Sequence, residues 1–330
     1  MTHNRSVSRL VRHGTLAAAL TLFASQMFFT PVASAAETLR VAKSVPQAFS
    51  FVPLDVGIKN GIFKKNGVEV EASAFGGDAK MQQGMAAESI DIGIGSGPAM
   101  AFIVKGAPIK AVAAMAGRPL LLTLVVRADS SVKIVADLKG KKVGVSTVGS
   151  LTYWVADELS RQQGWGPGGI SVTPVGAFKP MLAALKTRQI DGIVTDVATA
   201  YELEKNGEGK ILFHVGDLVK DFHIHVIFAT NKLVASRPDA IRAFLKGWFE
   251  TIAFMRKNKA NAVQIAKDVM ETDAEIAGRV YDELLPMFSD DGKFDPKALA
   301  VLSRSYVELQ VLDREPDMTK LYTEAFLPKK

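Results

Sequence analysis

The sequence predicts an α/β fold of two similar lobes with a central cleft, two strands crossing between the lobes, and helices at the C-terminal end. Three observations carry this reading. Short β-prone runs alternate with segments of helical spacing from Leu39 to Val215, the pattern of sheets flanked by helices. The order of elements then recurs at an offset of roughly 100 residues. G-V-E-V-E-A-S-A-F-G-G-D-A-K-M (67–81) faces G-I-S-V-T-P-V-G-A-F-K-P-M (169–181), and S-I-D-I-G-I-G-S-G-P-A (89–99) faces Q-I-D-G-I-V-T-D-V-A-T (189–199). Beyond Pro238 the spacing is helical only.

The elements follow in order. Leu39–Lys43 is an apolar β-prone run, Asp55–Lys65 has helical spacing that ends at Gly67, and Val68–Ala74 alternates as a strand. Lys80–Glu88 reads as a short helix, Ile90–Ile94 as a strand, Pro98–Val104 as a helix and Ile109–Ala116 as a strand. The second round comprises strand Lys142–Ser146, helix Leu151–Gln163, strand Ile170–Val175, helix Lys179–Thr187, strand Ile190–Val194, helix Ala198–Lys205 and strand Lys210–Val215. Leu120–Arg127 and His223–Thr230 are the expected crossovers. Helices are expected over Ala240–Met255, Ala260–Val269, Ala274–Met287 and Pro296–Leu312, with Pro238 and Asp239 marking the start of the first.

The N-terminal stretch stands apart from this pattern. Arg5, Arg9, Arg12 and His13 precede an apolar run from Leu16 to Phe29, and Ala33-Ser34-Ala35 fits a small-x-small cleavage site. This is the layout of a secretory signal peptide cut after Ala35. The run is shorter than the ~20 apolar residues that span a bilayer. The expected domains are therefore 1–35 as signal peptide, 36–122 with 226–330 as lobe one and its helical tail, and 123–225 as lobe two. The three arginines supply half of the formal charge of +6, so a cleaved chain is only mildly positive, too weakly basic for a nucleic-acid protein but suited to anionic small solutes. With no cysteine there is no thiol nucleophile, no Cys-based zinc site and no N-terminal lipid attachment.

Motifs for chemistry are weak. G-W-G-P-G-G (164–169) satisfies G-x-G-x-x-G, but it follows a helix and precedes a strand, the reverse of a dinucleotide fold. G-I-G-S-G (93–97) lacks the lysine of a phosphate loop. His223 and His225 share one face of a strand, but a metal needs three or four ligands, and a cleft or hinge position is the better reading. Asp91 and Asp191, repeat partners at strand starts, are structural. No catalytic residue, cofactor or metal is expected.

A cleaved signal, two α/β lobes, two crossovers and a helical tail resemble a type II periplasmic solute-binding protein of an ABC importer. The similarity is to the nitrate, sulfonate, taurine and thiamin-pyrimidine-precursor group. G-I-F-K-K-N-G-V-E-V-E (61–71), F-G-G (75–77), S-I-D-I-G-I-G-S-G-P-A (89–99), D-L-K-G-K-K-V-G-V (137–145) and S-T-V-G-S (146–150) carry it. The resemblance implies a monomeric periplasmic receptor, not an enzyme, that closes on a small-molecule ligand and delivers it to an inner-membrane permease with its ATPase. The implied ligand is a small organic solute, anionic and of sulfonate or carboxylate type. The alternative is a pyrimidine, thiamin precursor or other heterocycle; a third reading is an enzyme related to pyrimidine synthesis.

Ligands of open α/β sheets lie at the carboxyl ends of strands, which selects the candidate residues. In lobe one these are Gln47, Phe49, Ser50 and Phe51, with the phenyl rings as face-on contacts, then Gly76 and Gly77, then Ser96 and Gly97, where bare backbone gives a ligand room. Arg118 is a candidate anion clamp. In lobe two Ser146, Thr147, Gly149, Ser150 and Thr152 run from a strand into a helix start, where hydroxyls and free N–H groups suit an anion. Phe178, Lys179, Thr195 and Asp196 hold the repeat-equivalent positions, and His223 completes the set.

Overall fold

The computed structural model describes residues 37–329 except Thr147, Gly149, Ala177 and the side chain of Phe178. The expected signal peptide lies outside the described residues.

Two five-stranded sheets organise the chain. The first contains β1 (Glu37–Lys43), β2 (Val68–Ala74), β3 (Ile92–Ser96), β4 (Ile109–Ala116) and β10 (His225–Thr230), in the order β2-β1-β3-β10-β4. The second contains β5 (Leu122–Arg127), β6 (Lys142–Val145), β7 (Ser171–Pro174), β8 (Gly192–Asp196) and β9 (Gly209–His214), in the order β7-β6-β8-β5-β9. The two orders are the same once numbering is set aside. In each sheet a single antiparallel strand, β10 or β5, enters fourth. The repeat read from sequence is thus a repeat of topology. The chain passes from β4 to β5 through 117–121, and back to β10 through 219–224.

β3, β4, β5 and β10 are almost wholly buried, with small residues between apolar ones in β3 and β4 and aliphatic, β-branched runs in β5 and β10, as strands covered on both faces require. β2 is an edge, and Glu69 and Glu71 on it discourage pairing with another chain. The repeat also fixes a pair of carboxylates. Asp91 accepts from the Arg40 N–H of β1 at 2.9 Å, and Asp191 accepts from the Lys142 N–H of β6 at 2.9 Å. Asp91 thereby pairs the middle of β1 and Asp191 the first residue of β6, and Asp91 also binds the Arg40 guanidinium (2.6 Å). Both are structural, as their position at strand starts implies.

The helices of lobe one are α1 (Val52–Lys59), α2 (Ile62–Lys65), α3 (Asp78–Ala86) and α4 (Ala101–Val104). Those of lobe two are α5 (Leu151–Gln162), α6 (Phe178–Lys186), α7 (Val197–Lys205) and α8 (Val215–Leu218). The tail comprises α9 (Asn231–Ser236), α10 (Pro238–Lys257), α11 (Lys259–Met270), α12 (Ala274–Leu284) and α13 (Pro296–Glu308). Side chains of Ser150, Asp196, Thr230, Asp273 and Asp295 cap α5, α7, α9, α12 and α13. Pro238 sits in the first turn of α10, whose Phe244 stacks on Phe63 of α2 (centroids 5.1 Å apart) and so fixes the tail on lobe one.

Candidate functional site

The carboxyl end of β1 in lobe one and that of β8 in lobe two face one cleft, and each sheet's carboxyl edge carries candidate residues. In lobe one that edge is built around Asp78, the first residue of α3. Its carboxylate accepts from the Ser96 N–H (2.9 Å) and Ser96 Oγ (2.8 Å) at the end of β3. Burial pushes the Asp78 carboxyl up, and the hydrogen bonds from Ser96 and Ser44 only partly oppose it. The glycines before Ser96 make this possible. A Cβ at Gly95 would overlap Asp78 Oδ1, and one at Gly93 would lie 2.6 Å from Met85 Sδ. Gly77 turns the chain into α3 with φ +123°, a conformation open to glycine, and its N–H donates to the Ser44 carbonyl (2.8 Å).

Gly97 has a different reason from the one the sequence indicated. The space its side chain would need is filled by the His223 carbonyl of the second crossing, not left for a ligand. Gly97 N–H donates to the Ile224 carbonyl (2.9 Å), and its own carbonyl accepts from Tyr306 Oη (3.2 Å). His223 is buried at the same crossing. Its Nε2 accepts from the Asp295 N–H (2.9 Å), which requires the neutral ring, and burial lowers its pKa to about 4. His225 is fully enclosed and lowered to about 3 by burial. No cluster of metal-ligating side chains occurs among the described residues.

The phenyl pair is corrected in part. Phe51 is wholly buried and meets the His225 ring edge-on (5.0 Å), so its face is spent inside lobe one, and Ser50 is buried beside it. Phe49 is also mostly buried, against Tyr281 of α12 and Phe288, but its edge reaches the cleft. Gln47 is exposed at the cleft mouth. Arg118, Gly76 and Lys179 are exposed and do not line the cavity described below. Thr147, Gly149 and the ring of Phe178 lie outside the described residues.

In lobe two Ser146, Ser150 and Thr152 gather at the start of α5. Thr152 Oγ1 lies 2.9 Å from Ser146 Oγ and 3.0 Å from Ser150 Oγ, and it accepts from the Ser146 N–H (3.0 Å). Ser150 caps the Tyr153 N–H (3.2 Å). Asp196 ends β8 and caps α7, accepting from the Thr199 N–H (3.0 Å) and Oγ1 (2.8 Å). Thr195 is buried and its carbonyl accepts from Thr123.

A cavity of about 560 Å³ opens between the lobes. Gln47, Phe49 and Asp196 line it, as their strand-end positions predict. Other parts of its wall were not legible in the sequence: Leu121 from the first crossing, Thr199 and Glu202 of α7, and Met270 to Thr272, Val280 and Leu284 from the tail. Its charged lining is acidic, Asp196, Glu202 and Glu271, with no Lys, Arg or His among the described residues. Such a wall repels an anion and accepts hydrogen bonds from N–H groups or a cation.

Two α/β units of one topology, closing on a shared cleft, define the fold of the periplasmic solute-binding proteins. The periplasmic aliphatic sulphonate binding protein SsuA of Escherichia coli superposes with a TM-score of 0.74 at 18% identity, over 87% of this chain and 92% of SsuA. The desulfurization enzyme DszB shares the fold too, with a TM-score of 0.62 at 15% identity over 88% of this chain and 97% of its own. In sequence, residues 48–262 match the family described as NMT1/THI5 like, and the chain belongs to that family. A putative thiamine biosynthesis protein of Haemophilus influenzae is 36% identical over 95 residues. That match spans 28% of this chain and 30% of the relative, under a third of its length. No described helix is long and apolar enough to cross a membrane.

Proposed function

We propose that this protein is the substrate-binding component of an ABC importer, exported to the periplasm by a cleavable signal peptide. It captures a small organic solute between its lobes and hands it to a membrane permease. The observation that carries the reading is the interlobe cavity, walled by both lobes and the tail, in a fold shared with a periplasmic binding protein. A ligand there touches both halves at once, so it favours the closed arrangement by contacts the open one lacks. The protein performs no chemistry in this reading. The buried histidines are held neutral, and no nucleophile–base pair lines the described cavity.

The lining favours a ligand rich in N–H donors, such as an aminopyrimidine or related heterocycle, over a sulfonate or carboxylate. Asp196, Glu202 and Glu271 supply acceptors, while Phe49, Val280 and Leu284 supply apolar contact. The family and the named thiamine biosynthesis relative point the same way. An anionic group would sit instead at the hydroxyl cluster of Ser146, Ser150 and Thr152 at the start of α5. Thermal shift of the mature protein against an aminopyrimidine, thiamin, taurine and an alkanesulfonate separates the readings. Ligand at 100 times Kd stabilises by ~2.7 kcal/mol. A shift with the heterocycles alone supports this assignment, a shift with the sulfonates alone moves the ligand to α5, and no shift with any small solute removes the receptor reading.

A further inference from the structure

The helical tail does more than cover lobe one. α12 is anchored there through Tyr281, whose ring packs on Phe49 and whose hydroxyl donates to the Met255 carbonyl (2.6 Å). Its opposite side meets lobe two. Glu283 Oε1 lies 2.6 Å from Nδ1 of His214, the last residue of β9. Glu283 Oε2 accepts from the hydroxyl of Tyr201 on α7. One turn earlier, the Arg279 guanidinium stacks 3.7 Å above the Tyr201 ring and reaches Glu204 at 3.3 Å. At the start of α12, Asp273 and Glu275 hold Lys205 at 2.6 and 3.0 Å. α12 and α7 also line the cavity, through Val280, Leu284, Thr199 and Glu202. The polar contacts therefore bridge the lobes one helical turn from the ligand space.

We propose that His214 and Glu283 form a proton-operated clasp between the lobes: the charged imidazole holds α12 against lobe two, and its deprotonation loosens the closed arrangement. The contact geometry selects this pair over its neighbours. The other bridging ions are lysine, arginine and carboxylate groups, whose charges do not change near neutral pH, whereas a histidine's does. The surroundings are weighted toward the charged ring. Glu283 raises the His214 pKa above its ordinary 6.5 against an opposing effect of burial, and Asp217 of α8 and Glu204 of α7 add to the rise. Burial pushes Glu283 upward, but the bonds from His214 and Tyr201 outweigh it and, with Arg279 adding, leave its pKa low.

The direction follows from linkage. A base whose pKa is raised by a contact contributes that contact's full stabilisation below the group's ordinary value of 6.5 and loses it as pH rises through the raised value. Glu283, lowered by the same contact, withdraws its share only in acid below the ordinary carboxylate range. The closed arrangement is thus favoured in mild acid and relaxes above neutrality.

The clasp stands on these contacts whatever the ligand, and its test needs none. The chain has no cysteine, so a Lys105→Cys, Lys139→Cys pair places one spin label on each lobe without background. Interlobe distances are measured by pulsed electron resonance on the mature protein at about pH 6 and pH 8.5. The expected result is a several-fold larger long-distance population at the higher pH. His214→Gln and Glu283→Gln, each checked for native circular dichroism, should have nearly the same distribution at both values. A pH-invariant wild type, or a His214→Gln protein that keeps the wild-type response, overturns the clasp and leaves the receptor assignment intact.

Discussion

Substituting Gly97 by Ala tests the packing that joins the second crossing to lobe one. The added Cβ overlaps the His223 carbonyl oxygen, a backbone atom that cannot rotate away. Relief requires the segment before β10 to shift, and overpacking of this kind costs ~1–3 kcal/mol. The same shift strains the bonds from Gly97 N–H to Ile224 O (2.9 Å) and from Tyr306 Oη to Gly97 O (3.2 Å), worth ~1 kcal/mol each. A loss of ~2–4 kcal/mol is expected in equilibrium urea unfolding followed by tryptophan fluorescence. Gly278→Ala, within α12, is the control. A Cβ there meets nothing within 4 Å, and the change should stabilise by ~0.5–1 kcal/mol through helix propensity. If Gly97→Ala unfolds within ~0.5 kcal/mol of wild type, the account of the glycine run as a packing device is wrong.

Three further outcomes follow from the geometry. Asp196→Asn keeps the cap of α7, since asparagine caps as well as aspartate, but removes a cavity charge; calorimetric titration should show tenfold or greater weakening, ~1.4 kcal/mol, for a protonated heterocycle and no loss for a sulfonate. His223 and His225 have folded pKa values of about 4 and about 3 against 6.5 when free, so stability should fall as pH drops below 6.5, by up to ~1.4 kcal/mol per unit for each ring. His225→Phe should flatten that slope in acid melts. Glu308→Ala strips the acceptor from Trp154 Nε1 (2.7 Å) and Arg161 (2.6 Å), which tie α13 to α5, and should cost ~1.5–3 kcal/mol in the same urea assay.

The parts of this molecule that were legible in the sequence are those set by local pattern. The alternation of runs located the strands of both sheets, and the repeat of S-I-D-I-G against Q-I-D-G-I exposed the equivalent carboxylates Asp91 and Asp191. Strand-end logic brought Gln47, Phe49 and Asp196 to the cavity. What pattern does not encode is which surface a helix meets. Nothing in M-E-T-D (270–273) or in the amphipathic run of α12 says that its polar side faces lobe two. The acidic wall and the Glu283–His214 contact therefore appear only in three dimensions. The same limit explains Gly97 and Phe51. Bare backbone and an aromatic ring look alike in sequence whether a ligand or the chain itself fills the space beside them, and here the chain does.

In the proposed function the interlobe cavity holds a small solute. Native mass spectrometry of the mature protein, purified gently from a cell that exports it, tests this most directly. The expected spectrum carries a noncovalent adduct of a small nitrogen-bearing molecule that leaves on mild activation and returns when the compound is added back. A protein that flies only at its bare mass, and gains no adduct from any heterocycle or sulfonate offered in excess, would leave the cavity without a ligand and overturn the receptor reading.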